Sequence, residues 1–112
     1  MRVPRLGRPL VLEARILVPD GMGAGTEIWQ PLGRIWAEII PAAGREEAGE
    51  FAARGRVAFR ITVRAAPAGA PSRPLAGQRL RLGGRVFDIL AVAERDPEGR
   101  YLVCHAEERG AR

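Results

Sequence analysis

Apolar and polar residues alternate along "PLVLEARILV", residues 9–18: Leu10, Leu12, Ala14, Ile16 and Val18 share one side of an extended chain. Glu13 and Arg15 fall on the other side, the period-two pattern of a half-buried strand. The run "RIWAEIIP", residues 34–41, reads as a second strand, stopped by Pro41. The plainest alternation is "RVAFRITVR", residues 56–64, with Val57, Phe59, Ile61 and Val63 against Arg56, Arg60, Thr62 and Arg64. Two further runs, "QRLRL" and "RVFDILAVA", flank Gly83-Gly84, a two-residue hairpin signal. "DPEG", residues 96–99, carries proline and glycine where a type I turn prefers them, and "RYLVCHAEE" supplies a closing strand.

Only "GREEAGEFAARGR", residues 44–56, changes period. Ala48, Phe51 and Ala52 sit at helical spacing, with Glu46 and Glu47 in the first turn and Arg54 near the last, as the helix dipole favours. Gly49 weakens that helix by about 1 kcal/mol relative to alanine. The expected fold is mainly β: a small six-stranded antiparallel β-barrel with one short helix and two long loops. Closure into a barrel is favoured because it removes unpaired strand edges. The 112 residues fit one domain spanning 1–112, with residues 1–8 and 108–112 as flexible tails.

The glycines of "DGMGAGTEIW", Gly21, Gly23 and Gly25, raise the question of a phosphate-binding loop. Such a loop opens a helix, but Pro31 and Gly33 leave no room for one, and the chain contains no lysine. A mobile tip joining two strands is the remaining reading. "AAPAGAPSRPLAG", residues 65–77, is the second long loop.

Chemistry is hard to assemble from these residues. Ser72 is the only serine, with no histidine near it in sequence. His105, the only histidine, adjoins Cys104, but neighbours on a strand point to opposite faces and cannot act as base and nucleophile. Neither has zinc spacing, and a single cysteine allows no intrachain disulfide. No catalytic residue, metal site or cofactor is therefore assigned, and the protein is not expected to be an enzyme. The net charge of +5 is carried entirely by arginine among the basic residues, which suits polyanions or protein interfaces and is also what a GC-rich genome produces. No apolar run is long enough to span a bilayer, and the N-terminal stretch is a poor signal peptide, so synthesis in the bacterial cytoplasm is expected, with no membrane partner.

The order of several motifs resembles the phage head–tail joining family, the head-completion or stopper proteins of long-tailed phages. Trp29, Trp36, Ala37, Ile39, Pro41, Gly44, Arg45 and Glu46 match its first part; Arg60, Ile61, Val63 and Arg64 match its third strand; Gly83, Gly84, Arg85, Phe87 and Ile89 match its last part. Phe59 stands where histidine is common in the family. The lysine-free composition is similar to the versions carried by gene transfer agents. The resemblance implies a ring of twelve copies in the particle neck, between the portal-bound adaptor protein and the tail terminator or tail tube proteins. That ring would close the channel over packaged double-stranded DNA. It also implies that the segment after the second strand faces the channel, with Arg45, Arg54 and Arg56 toward DNA. Gly21, Met22, Gly23, Pro71 and Arg73 are then candidates for the ring interface, and Trp36, Ile39, Phe59, Ile61, Phe87 and Ile89 for the core. The alternative reading is a small basic β-barrel that binds nucleic acid through the arginine row of residues 56–64, although no aromatic residues interleave there for base stacking.

Overall fold

A computed structural model describes residues 2–42 and 56–110. Six strands follow in order: β1 (Arg8–Pro19), β2 (Gly25–Pro41), β3 (Val57–Arg64), β4 (Arg79–Leu82), β5 (Arg85–Glu94) and β6 (Tyr101–Glu108). Every pairing is antiparallel, and β4 returns to β1, so the sheet closes as a barrel in the order β1-β2-β3-β6-β5-β4. Among the described residues there is no helix; the helix expected over 44–56 lies almost wholly outside them.

The barrel interior follows from strand parity. Leu10, Leu12, Ala37, Ile61, Val63, Leu80, Phe87, Ile89, Leu102, Cys104 and Ala106 are buried together. Small residues sit beside large ones: Phe59 pairs with Ala106 across β3 and β6, and the Phe59 ring meets Phe87 edge-on at 5.4 Å. Such alternation of size lets side chains fill a narrow barrel without voids. Trp36, expected in the core, is instead 52% exposed. Ala37 is the inward residue at that level, paired with Val63, so its neighbour Trp36 must point out. Ile39, Phe59, Ile61, Phe87 and Ile89 all lie in or against the core.

Two irregularities shape the wall. Between Leu12 and Glu13 the β1–β2 register skips Leu32, and Gly33 at φ 143° forms the bulge, a conformation side-chain-bearing residues rarely adopt. A second skip, at Leu90, lies between β5 and β6. The Gly83-Gly84 hairpin has positive φ at its first central residue only, the sign pattern of a type II′ turn.

Segments read as loose are fastened. The N-terminal segment lies on the barrel: Arg2 donates two hydrogen bonds to Glu38, the Arg5 amide donates a third, and Pro4 is buried. At the other end, the Arg109 amide donates to the Val86 carbonyl and its guanidinium clasps Asp88. The loop 65–77 is held by the buried Pro74, by Arg73 donating to the Ala66 carbonyl at 2.8 Å, and by Gly77 donating to the Ile89 carbonyl at 2.9 Å.

Candidate assembly interface

β1 meets β4 only at Val11–Glu13, and β2 meets β3 only at Ala37–Pro41. Beyond those contacts Ala14–Pro19 and Gly25–Gln30 pair with each other alone. The result is a two-stranded ribbon projecting from the barrel, in a molecule 52 Å along its longest axis and 22 Å along its shortest. One ribbon face carries Ala14, Ile16 and Val18 with Thr26, Ile28 and Gln30; the other carries Arg15, Leu17, Glu27 and Trp29. Ile16, Leu17, Val18 and Ile28 are all exposed, and Met22 at the tip is 86% exposed. An isolated hairpin is marginally stable in water, and clustered exposed apolar side chains mark an interaction surface.

The ribbon is fastened at both ends. At its base, the buried Glu13 carboxylate accepts from Arg79 Nε at 2.6 Å and Arg81 Nε at 3.0 Å. The Arg79 guanidinium in turn covers the Trp29 ring, 4.2 Å from its centroid. Burial pushes the Glu13 carboxyl up, but the two arginines together outweigh burial and hold it below its ordinary range. At the tip, Asp20 Oδ1 accepts from the Met22 amide at 2.8 Å and the Ala24 amide at 3.3 Å, while the Asp20 amide donates to the Ala24 carbonyl. Gly21 and Gly23 take φ of 81° and 83° to make this turn. The tip read from sequence as mobile is thus a closed, hydrogen-bonded loop.

Away from the tip, near the start of β1, the barrel wall carries an open pocket of about 470 Å³ lined by Leu6, Ile35, Trp36, Arg64, Ala65, Ala66 and Ser72. The exposed Trp36 is part of its wall. A second, more polar hollow of about 300 Å³ includes Arg60, His105, Glu38, Glu94 and Arg95.

The whole pattern of strands is shared with a known family. The family model described as phage head completion protein matches residues 1–109. The chain belongs to that family. A solved chain from the virion of a native gene transfer agent particle is similar to this head completion protein at 51% identity, covering 97% of this chain and 100% of that one, with a TM-score of 0.78. A Shigella flexneri 2a protein solved in solution shares the fold, at 23% identity, 96% coverage of each chain and a TM-score of 0.71. Among curated protein sequences none matches.

The residues singled out from sequence occupy separate regions of this head completion protein. Gly21, Met22 and Gly23 form the ribbon tip, whereas Pro71 is exposed on the 65–77 loop and Arg73 is turned inward onto Ala66. Arg45 and Arg54 lie outside the described residues. Arg56 is tied to Asp88 at 3.0 Å and to Glu107 at 3.6 Å. Asp88 is raised by burial but held below its usual range by Arg109 and Arg56. Cys104 lies in the core, where burial pushes its thiol up to about 12, and His105 is exposed opposite Arg60. The pocket under Trp36 and the Glu13 clasp escaped sequence reading. The only hint of the clasp was an acid inside an apolar run, at Glu13.

Proposed function

We propose that this chain is the head-completion ring of a phage-like particle of the gene transfer agent kind. Copies assemble in the neck between the portal-bound adaptor and the tail, close the channel over packaged DNA, and offer the surface to which the tail docks. The observation that carries this reading is membership of the head completion family over residues 1–109, with half the residues identical to a chain of a gene transfer agent virion. The protein acts by contact and not by catalysis. A rigid barrel supplies the building block, and an apolar ribbon supplies a means of reaching a neighbour.

In this reading the segment after β2 faces the channel, and Arg45 and Arg54 meet the DNA phosphates. Arg56 contributes less, because two acids already neutralise it. Deleting the gene should give filled heads without tails, or heads that lose their DNA, as counted by electron microscopy and by nuclease-resistant DNA. Normal tailed particles from the deletion strain would refute the assignment.

A further inference from the structure

The ribbon tip and the pocket under Trp36 are both apolar, both open, and far apart on the same chain. Trp36 lies eleven positions after Gly25 along β2, about 36 Å at roughly 3.3 Å per residue. The ribbon's base is fastened to β4 by the Glu13 clasp, and no tip residue lines the pocket of its own chain. A patch and a pocket at different places on identical chains make a head-to-tail contact, the kind that generates rings.

Charge matches as well as shape. Asp20 spends Oδ1 on the tip's own amides, and no cation pairs with it among the described residues. Arg64 lines the pocket, has no acid partner among the described residues, and lies 5.9 Å from the Tyr101 ring centroid. We infer that the tip of one copy inserts into the Leu6, Ile35, Trp36 and Ser72 pocket of a second copy of this chain, with Met22 against Trp36 and Asp20 facing Arg64. The thioether of Met22 suits an aromatic wall, since sulfur packs favourably against rings and methionine adapts to irregular gaps. Leu17 and Ile28, next along the ribbon, extend the contact. This inference rests on the ring reading above and specifies which surfaces join.

Particles built with Met22→Cys and Ser72→Cys together, then mildly oxidised, test it. The expected result is a ladder of covalent multiples of this chain on a non-reducing gel, with neither single variant giving one; the native Cys104 is buried and stays silent. Cross-linking of Met22→Cys to a polypeptide of another mass, or no ladder in particles whose necks image normally, overturns the contact. In either case a ring of this chain in the neck would still stand, so loss of the contact and loss of the ring reading are distinguishable. As a second test, Met22→Glu should lower the yield of tailed particles by about tenfold or more, because it carries an unpaired charge into an apolar pocket. Met22→Leu should not. Neither should alter the fold of the isolated chain, since Met22 is 86% exposed. Wild-type yield from Met22→Glu would overturn the proposal.

Discussion

Glu13 shows how one residue can matter beyond what its type announces. Alternation assigns it to the outer face, and its parity is indeed outward, beside Arg79 across the β1–β4 pair. Depth is another matter: its side chain is only 5% exposed, because two arginines close over it, one of them stacked on Trp29. Periodicity gives direction, and only tertiary contact decides burial, so an acid inside an apolar run is the one local sign of this residue. Removing one partner of a buried pair leaves the other charges uncompensated. Arg81 is 39% exposed and regains water, so the cost should fall at the low end of the usual range. Glu13→Ala should lose roughly 3 kcal/mol by urea denaturation with an unchanged m-value, and Glu13→Gln less. Glu38 gives a pH signature. The Arg2 hydrogen bonds, with the Arg5 amide, outweigh desolvation and bring its carboxyl from 4.5 to about 2. A depressed carboxylate stabilises fully above its unfolded value, and that contribution is lost as pH falls from 4.5 toward 2. Arg2→Ala should raise the Glu38 titration midpoint, followed by carbon-13 carboxyl NMR, and move acid unfolding to higher pH. A Glu38 that still titrates near 2 without Arg2 would remove this explanation. Trp36 teaches a related point. Residues 36 and 39 have opposite parity on a strand, so Trp36 and Ile39 could not both face inward. Of the two neighbours it is Ala37 that is fully buried, while Trp36 is 52% exposed.

At the level of elements, the strands were legible because each keeps period two, and the Gly83-Gly84 hairpin because glycine permits its turn. The length of β2 was not. It runs through Pro31 and Gly33 from Gly25 to Pro41, whereas sequence reading starts the strand at Arg34. Proline is tolerated because this part of β2 pairs only with β1, leaving its other edge without a ladder partner, and Gly33 absorbs the bulge. Equal alternation in β1 likewise hides where the barrel ends: Leu10 and Leu12 are sealed inside, but Ile16 and Val18 continue the same face into the open. Because the outer ribbon pairs only with itself, it should be separable from the barrel. Arg15 and Trp29 are register partners, so excising Ile16–Ile28 and joining them through Asn-Gly preserves the hairpin and the Trp29–Arg79 stack. The shortened chain should keep its far-ultraviolet circular dichroism and cooperative unfolding while failing to complement a deletion strain. Collapse of the barrel would mean that the ribbon is needed for folding as well as for assembly.

For the molecule as a whole, the question is what its charge is for. A net charge of +5 invites a nucleic-acid reading, but eight of the fifteen arginines among the described residues are already committed. Arg2, Arg15, Arg56, Arg79, Arg81, Arg85, Arg100 and Arg109 each hold an acid. On β3 only Arg60 and Arg64 stand exposed in a row, and Thr62 between them is buried. Two arginines do not make a groove that tracks a backbone. The neck reading asks for something different, a wall that tolerates DNA nearby and is positioned by its neighbours in a ring. Binding of the isolated chain to a short fluorescent duplex, followed by anisotropy between about 50 and 200 mM salt, separates the two. Each phosphate engaged adds about −0.9 to the slope of log K against log salt, so contact confined to Arg60 and Arg64 should give a slope no steeper than about −2 and weak binding overall. A much steeper slope, flattened by Arg60→Ala and Arg64→Ala, would make the barrel wall a phosphate-binding surface in its own right. Weak, shallow binding would mean that DNA is held back by the geometry of many copies around a channel, a property no single copy possesses.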